Sequence, residues 1–149
     1  SFAKALTNPG GLYPGFLDIE DQYGNTRAGN LANYYIGVSY LNLGEYQAAI
    51  DFLVDYKPTN PEMTIMKNGA LGDAFAEIND LSTAMSFYQK AVAKDNDLLT
   101  PYNLKKIGLL HERNGAGADA QAVYEKIKND YPLSNEARDI DKFLARVSQ

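Results

Sequence analysis

From Ala28 to Leu43 apolar side chains recur every three to four positions, at Leu31, Tyr34, Tyr35, Val38 and Leu41, which predicts an amphipathic helix. Gly44 stands where a helix ends in a left-handed residue. A second helix is predicted from about Tyr46 to Tyr56, stopping before Pro58 and Pro61. The next pair reads Glu62 to Ile78 and Leu81 to Lys94, broken at Asn79-Asp80, with Asp80 as N-cap. A third pair reads Pro101 to Arg113 and Ala116 to Tyr131, broken at Asn114-Gly115, with Thr100 as N-cap before Pro101. After Pro132, Ser134 to Ser148 reads as one more amphipathic helix, with Ala137, Ile140, Phe143, Leu144 and Val147 on its apolar face.

These pairs repeat. Gly37, Gly72 and Gly108 lie 35 and 36 residues apart, each preceded by Ile36, Leu71 or Ile107. Three residues on come Tyr40, Phe75 and His111; twelve on, Ala49, Ala84 and Ala120; sixteen on, Leu53, Tyr88 and Tyr124. Pro61, Asn96 and Pro132 close each unit. A period of this length in a helical pattern marks stacked hairpins. Small residues at matched positions let two helices cross at the short end of the roughly 8–10 Å range. The expectation is that Gly37 faces Ala49, Gly72 faces Ala84 and Gly108 faces Ala120, while the bulkier residues fill the space between hairpins.

With Gly44, Tyr46, Ala91 and Gly115 added, this spacing resembles the tetratricopeptide repeat family over about Asn30 to Pro132. The chain departs from the family pattern in four ways. Asn33, Asn68 and Leu104 stand where tryptophan is usual, Asn79 replaces a turn glycine, Asn96 replaces a closing proline, and His111 replaces an aromatic. The resemblance implies an all-α fold, an α-α superhelix of helical hairpins with a C-terminal capping helix. Residues 1–27 read as the remnant of a preceding repeat, and 28–132 as three repeats (about 30–63, 65–98 and 101–134). Residues 133–149 read as the cap, polar on its outer face.

Within the first 27 residues, Phe16, Ile19, Tyr23 and Thr26 echo the spacing of Tyr124, Ile127, Tyr131 and Ser134, so they predict a second helix of an earlier hairpin. Ser1 to Thr7 is short, and Pro9-Gly10-Gly11 and Pro14-Gly15 interrupt it, so no partner helix is expected there. With that partner helix missing and no methionine before Ser1, the chain reads as a fragment of a longer protein, cut inside its first repeat. The native protein's mass tests that.

Composition narrows the chemistry. With 19 acidic and 14 basic side chains, a net charge of -5 and no basic run, the chain is poorly suited to a phosphate backbone, so no nucleic-acid partner is expected. Stacking of bases on the 11 tyrosines lacks the cationic groove it needs. There is no cysteine and one histidine, His111, at a packing register, so zinc sites and histidine triads lack members. Asp95-Asn96-Asp97 opens like a calcium loop, but Thr100 and Lys106 stand where glycine and glutamate are required. Gly115-Ala116-Gly117 follows no strand and reads as a turn. The acidic groups Asp18, Glu20, Asp21 and Asp139, Asp141 read as solvated helix faces. Neither an enzyme nor a cofactor is expected. No stretch reaches the roughly 18 apolar residues of a membrane span, so membrane attachment would come only through a missing upstream segment.

The resemblance implies that first helices line a concave inner wall. By register this offers Leu31, Tyr34, Tyr35, Val38 and Asn42, then Met66, Ala70, Asp73 and Glu77, then Tyr102, Lys105, Lys106, Leu109, Glu112 and Arg113. Tyr34, Tyr35, Val38, Asn42, Met66, Asp73, Glu77, Tyr102, Lys105, Glu112 and Arg113 are the candidate partner-binding residues. The partner is a peptide or helical segment of another protein. Asp73 and Glu77, one turn apart, suit a basic side chain. A carboxylate clamp for chaperone tails is disfavoured, because only Lys105 and Lys106 suit an anion. A homodimer through exposed end helices is the alternative. The texture of short, tyrosine-rich repeats resembles bacterial cell-envelope repeat proteins, some of which assist envelope assembly.

Overall fold

The computed structural model describes residues 1–8, 11 and 13–148, and all its regular elements there are helical. In order they are α1 (Phe2–Thr7), α2 (Phe16–Tyr23), α3 (Arg27–Leu43), α4 (Tyr46–Asp55), α5 (Pro61–Glu77), α6 (Leu81–Ala91), α7 (Leu99–Arg113), α8 (Gly117–Asp130), a 3-10 turn (Glu136–Asp139) and α9 (Ile140–Val147). The chain divides into two compact units, Ser1–Ala84 and Met85–Gln149.

The turns inside the three predicted hairpins close in the same way. Gly44 at φ 82°, Asn79 at φ 65° and Gly115 at φ 72° each adopt the left-handed conformation. The N–H of each donates three residues back, to Leu41, Ala76 and Glu112, and the next N–H donates five back, to Tyr40, Phe75 and His111. This is the Schellman closure, which satisfies carbonyls that a helix end would otherwise orphan. The following helices start in phase as well: Ala49, Ala84 and Ala120 donate to the carbonyls of Glu45, Asp80 and Ala116. Asp80 caps its helix by accepting from the N–H of Thr83 at 3.2 Å.

In the N-terminal unit, α3 packs on α4 and α4 on α5. Ala49 and Leu53 have no exposed surface. A Cβ on Gly37 would fall 2.6 Å from Leu53 Cγ and 3.2 Å from the Ala49 carbonyl oxygen. The glycine therefore makes room chiefly for the side chain sixteen residues on, where the sequence suggested the alanine. The Asn30 side chain bridges to the Lys57 backbone, donating to its carbonyl and accepting from its N–H, both at 2.8 Å. Lys67 Nζ donates to the carbonyls of Val54 (3.0 Å) and Tyr56 (2.6 Å) near the end of α4, the helix end a cation favours.

No helix was expected before Phe16, and α1 is a departure from that reading. Ser1 caps α1 weakly at 3.5 Å, and Leu6 is buried with Ala32 and Ile36, flanked by Phe16, Leu17 and Ile19. Burial of Leu6 holds a helix too short to form alone. The predicted break at Pro9-Gly10 lies outside the described residues, apart from Gly11.

In the C-terminal unit α7 and α8 pair, and α9 packs on α8. A Cβ on Gly108 would lie 2.3 Å from Tyr124 Cε1, so here too the glycine faces the sixteenth residue on. Three boundaries differ from the sequence reading by more than one residue. α6 ends at Ala91 rather than at Lys94. Thr100 is not the N-cap of α7, which begins at Leu99. The Asn96 side chain instead accepts from the N–H groups of Leu98 (3.1 Å) and Leu99 (2.8 Å), while Thr100 Oγ1 accepts from Asn96 N–H at 2.9 Å. The last predicted helix is broken into the 3-10 turn and α9, with Ser134 Oγ accepting from Ala137 N–H.

Candidate functional site

Aligning the three first helices by the glycine register places four positions of each on one line: 31, 35, 38 and 42 on α3; 66, 70, 73 and 77 on α5; 102, 106, 109 and 113 on α7. The entering position is apolar and exposed every time, with Leu31 at 41%, Met66 at 39% and Tyr102 at 48%. The last position, Asn42, Glu77 or Arg113, is polar and exposed every time. The intervening positions are half-buried or exposed. Three helices that differ in sequence thus keep the two ends of the same line exposed and its middle at least partly so.

On α3 the line is aromatic and held rigid. Tyr35 stacks on Phe16 with centroids 5.2 Å apart and meets Tyr34 edge-on at 5.5 Å. Tyr34 in turn packs on Tyr56 at 5.4 Å. Tyr34 is buried, so it backs the exposed ring of Tyr35. Burial, and secondarily Tyr35, push the Tyr56 hydroxyl above its ordinary pKa. Val38 is half-buried, and its carbonyl accepts from Asn42 Nδ2 at 2.8 Å.

On α5, Met66 and Glu77 are exposed and Asp73 is half-buried. The Glu77 charge raises the Tyr46 pKa above its ordinary value, joined by desolvation and a hydrogen bond between the two side chains.

On α7, Lys106 Nζ sits 4.3 Å from the Tyr102 ring centroid and 5.9 Å from that of Tyr88, a cation–π arrangement. Leu109 and Arg113 are exposed. Lys105 and Glu112 lie on a neighbouring face and engage the C-terminal segment. Lys105 Nζ pairs with Asp139 at 3.1 Å and lies 4.4 Å from the Phe143 ring centroid. Glu112 accepts from Arg146 Nε (2.6 Å), Arg146 Nη2 (2.7 Å) and Tyr124 Oη (2.5 Å). Arg146 and Tyr124 hold the Glu112 carboxyl below the ordinary carboxylate range, against the smaller opposing effect of burial.

The candidate residues therefore divide between two faces. Tyr35, Val38, Asn42, Met66, Asp73, Glu77, Tyr102 and Arg113 fall on the repeated line. Tyr34, Lys105 and Glu112 face inward or toward α9. Register carries the signal that separates them: 34, 69 and 105 are equivalent, as are 41, 76 and 112, and every one of these positions is buried or half-buried. Lys106 and Leu109 belong to the line by the same rule.

Among the described residues no group of three histidine, cysteine, aspartate or glutamate side chains could hold a metal ion. No helix among them is long and apolar enough to cross a membrane.

A sequence model of the tetratricopeptide repeat family matches residues 31–56 and 104–134, the stretches of α3–α4 and α7–α8. A comparison with curated proteins finds no match. Among solved structures, the crystal structure of MamA is similar, with a TM-score of 0.68 at 18% identity, covering 90% of this chain and 85% of that one. At that identity the likeness concerns the fold.

Proposed function

For a chain that carries tetratricopeptide repeat sequence in two stretches and folds into helical hairpins throughout, we propose a non-catalytic scaffold. It binds a peptide or helical segment of another protein along the first-helix lines. Repeats of this kind point to protein partners in general. The observation that carries the finer reading is the recurrence of an exposed apolar residue at 31, 66 and 102, each followed along its helix by positions that end in a polar side chain. Rigid aromatic side chains such as Tyr35 supply contact area at low entropic cost. Asp73 and Glu77 attract a basic side chain of the partner. Repeats at about 30–63, 65–98 and 101–134, a repeat remnant at 1–27 and a cap at 133–149 belong to the same reading.

Photo-crosslinking in cells tests it. A crosslinking amino acid in place of Met66 should capture a protein, and one in place of the exposed Gln47 on α4 should not. Charge reversal with Asp73→Lys and Glu77→Lys should cut capture at Met66 by about fivefold or more without changing the helical circular dichroism. Equal capture from both positions, or capture indifferent to charge reversal, would count against this face.

A second reading rests on the exposed aromatics Phe2 on α1 and Tyr23 on α2: these end helices pair two copies of the chain. Light scattering that finds a monomer at every concentration removes it. A bacterial envelope setting is also part of the proposal, supported by the texture of the repeats. Fractionation that recovers the protein only with cytosolic markers would remove that part.

A further inference from the structure

A cleft of about 480 Å³ opens in the C-terminal unit, between the loop leading into α7 and the segment from the end of α8 to the 3-10 turn. The first contributes Asp97 and Leu98, and the second Asp130, Tyr131, Leu133 and Glu136. A second hollow of about 410 Å³ shares Asp97, Asp130 and Tyr131. Both loops are anchored. Tyr131 Oη donates to Asp95 at 2.5 Å, and Asn96 holds the backbone of Leu98 and Leu99.

The cleft has two kinds of unused chemistry. Leu98 is 69% exposed and Leu133 is 96% exposed, so two aliphatic side chains stand in water in one place. Asp130 is neutralised by Lys126 at 2.6 Å, and Lys128 is taken by Asp141 at 2.7 Å. Among the described residues, Asp97 and Glu136 have neither an ion pair nor a hydrogen bond to their carboxylates.

We infer that this cleft docks a basic, apolar segment of another protein. One lysine or arginine side chain sits against Asp97 and Glu136, and a neighbouring aliphatic or aromatic side chain covers Leu98 and Leu133. Charge complementarity selects this occupant. An acidic segment or a phosphate backbone is repelled, and a metal ion gains nothing from two leucines. In this arrangement the leucines supply most of the affinity and the carboxylates the selectivity and salt dependence. The site is separate from the first-helix lines and does not rest on their role.

The test is an NMR titration of the ¹⁵N-labelled chain with the capped peptide acetyl-Leu-Lys-Leu-Arg-Leu-amide, against a control with glutamate at both basic positions. Amide shifts should concentrate at residues 97–98 and 130–136. Leu133→Ser should weaken binding at least about tenfold, and Asp97→Asn with Glu136→Gln at least about threefold. The glutamate peptide should leave the spectrum unchanged. The same spectra report whether each variant is folded. No shifts at millimolar peptide, equal response to both peptides, or equal binding by the variants would overturn the site. Shifts confined to α3 and α5 would overturn it too, while favouring the first-helix reading.

Discussion

Gly37 and Gly108 are helical residues kept without a side chain by what lies opposite. A glycine inside a helix costs about 0.5–1 kcal/mol relative to alanine, so Gly→Ala at an unconstrained site stabilises. At Gly108 the new methyl group would meet the Tyr124 ring at 2.3 Å, and that ring is held by Glu112 and Phe143. Gly108→Ala should therefore destabilise the chain by about 1–3 kcal/mol, the usual cost of overpacking. Gly37→Ala, facing the buried Leu53, should act in the same direction. Urea denaturation measures both, and an increase in stability would mean that Tyr124 or Leu53 moves aside freely. The left-handed turn residues give a prediction of opposite sign. Asn79 at φ 65° carries a Cβ where Gly44 and Gly115 carry none. Asn79→Gly should be neutral or stabilising, whereas Gly44→Ala should cost about 1 kcal/mol. Equal effects of the two changes in the same denaturation series would contradict the shared Schellman geometry.

At the scale of elements, α9 is held to α7 by the Glu112–Arg146 ion pair and to α8 by Phe143 against Tyr124. Phe143 lies 5.4 Å from Tyr124, with the Lys105 and Arg146 cations over its face at 4.4 and 4.8 Å. The Glu112 carboxyl, depressed from 4.5 by Arg146 and Tyr124, contributes stability that is present above its unfolded value. That contribution is lost as pH falls through the folded one. Tyr131 behaves in the opposite sense. Burial, and then the bond to Asp95, push its hydroxyl from 10.0 up to about 12, so its contribution is intact below pH 10 and lost as pH rises toward 12. Glu112→Gln should lower the melting temperature at pH 7 and make little difference below the folded pKa. Tyr131→Phe should flatten the alkaline fall in stability. Thermal melts across pH check both, and a Glu112→Gln penalty that persists unchanged in strong acid would show that its charge is not the cause. The helices and their turns were legible in the sequence because each depends on residues a few positions apart. The three Schellman turns, for instance, are set by Gly44, Asn79 and Gly115 and their immediate neighbours. What escaped depends on distant partners. Lys105 finds Asp139 and Glu112 finds Arg146, each 34 residues away. No local pattern marked them as internal, although the repeat register did. Likewise α1 is too short for periodicity to reveal, and only the burial of Leu6 against α3 accounts for it.

For the whole molecule the distribution of charge sets how copies and partners approach. Residues 1–84 carry ten acidic and four basic side chains, and residues 85–149 carry nine and ten. The line on α3 and α5 thus belongs to an acidic unit, so under the proposed function it would favour cationic partners, while Lys106 and Arg113 give α7 the opposite sign at the same registers. At pH 7 the net charge of -5 keeps copies apart. Near the isoelectric point of about 4.8 that repulsion vanishes, and exposed apolar side chains such as Leu31, Met66, Tyr102 and Leu133 are free to meet across molecules. Turbidity should therefore peak near pH 4.8 and clear on return to pH 7. The far-ultraviolet circular dichroism should hold through the peak, because the depressed Glu112 carboxyl keeps its charge and its bond to Arg146 at that pH. Loss of helical signal at the turbidity maximum would mean that the α9 attachment releases first and that aggregation starts from an opened chain. That outcome would contradict both the low pKa of Glu112 and the assignment of association to side chains already exposed in the folded protein.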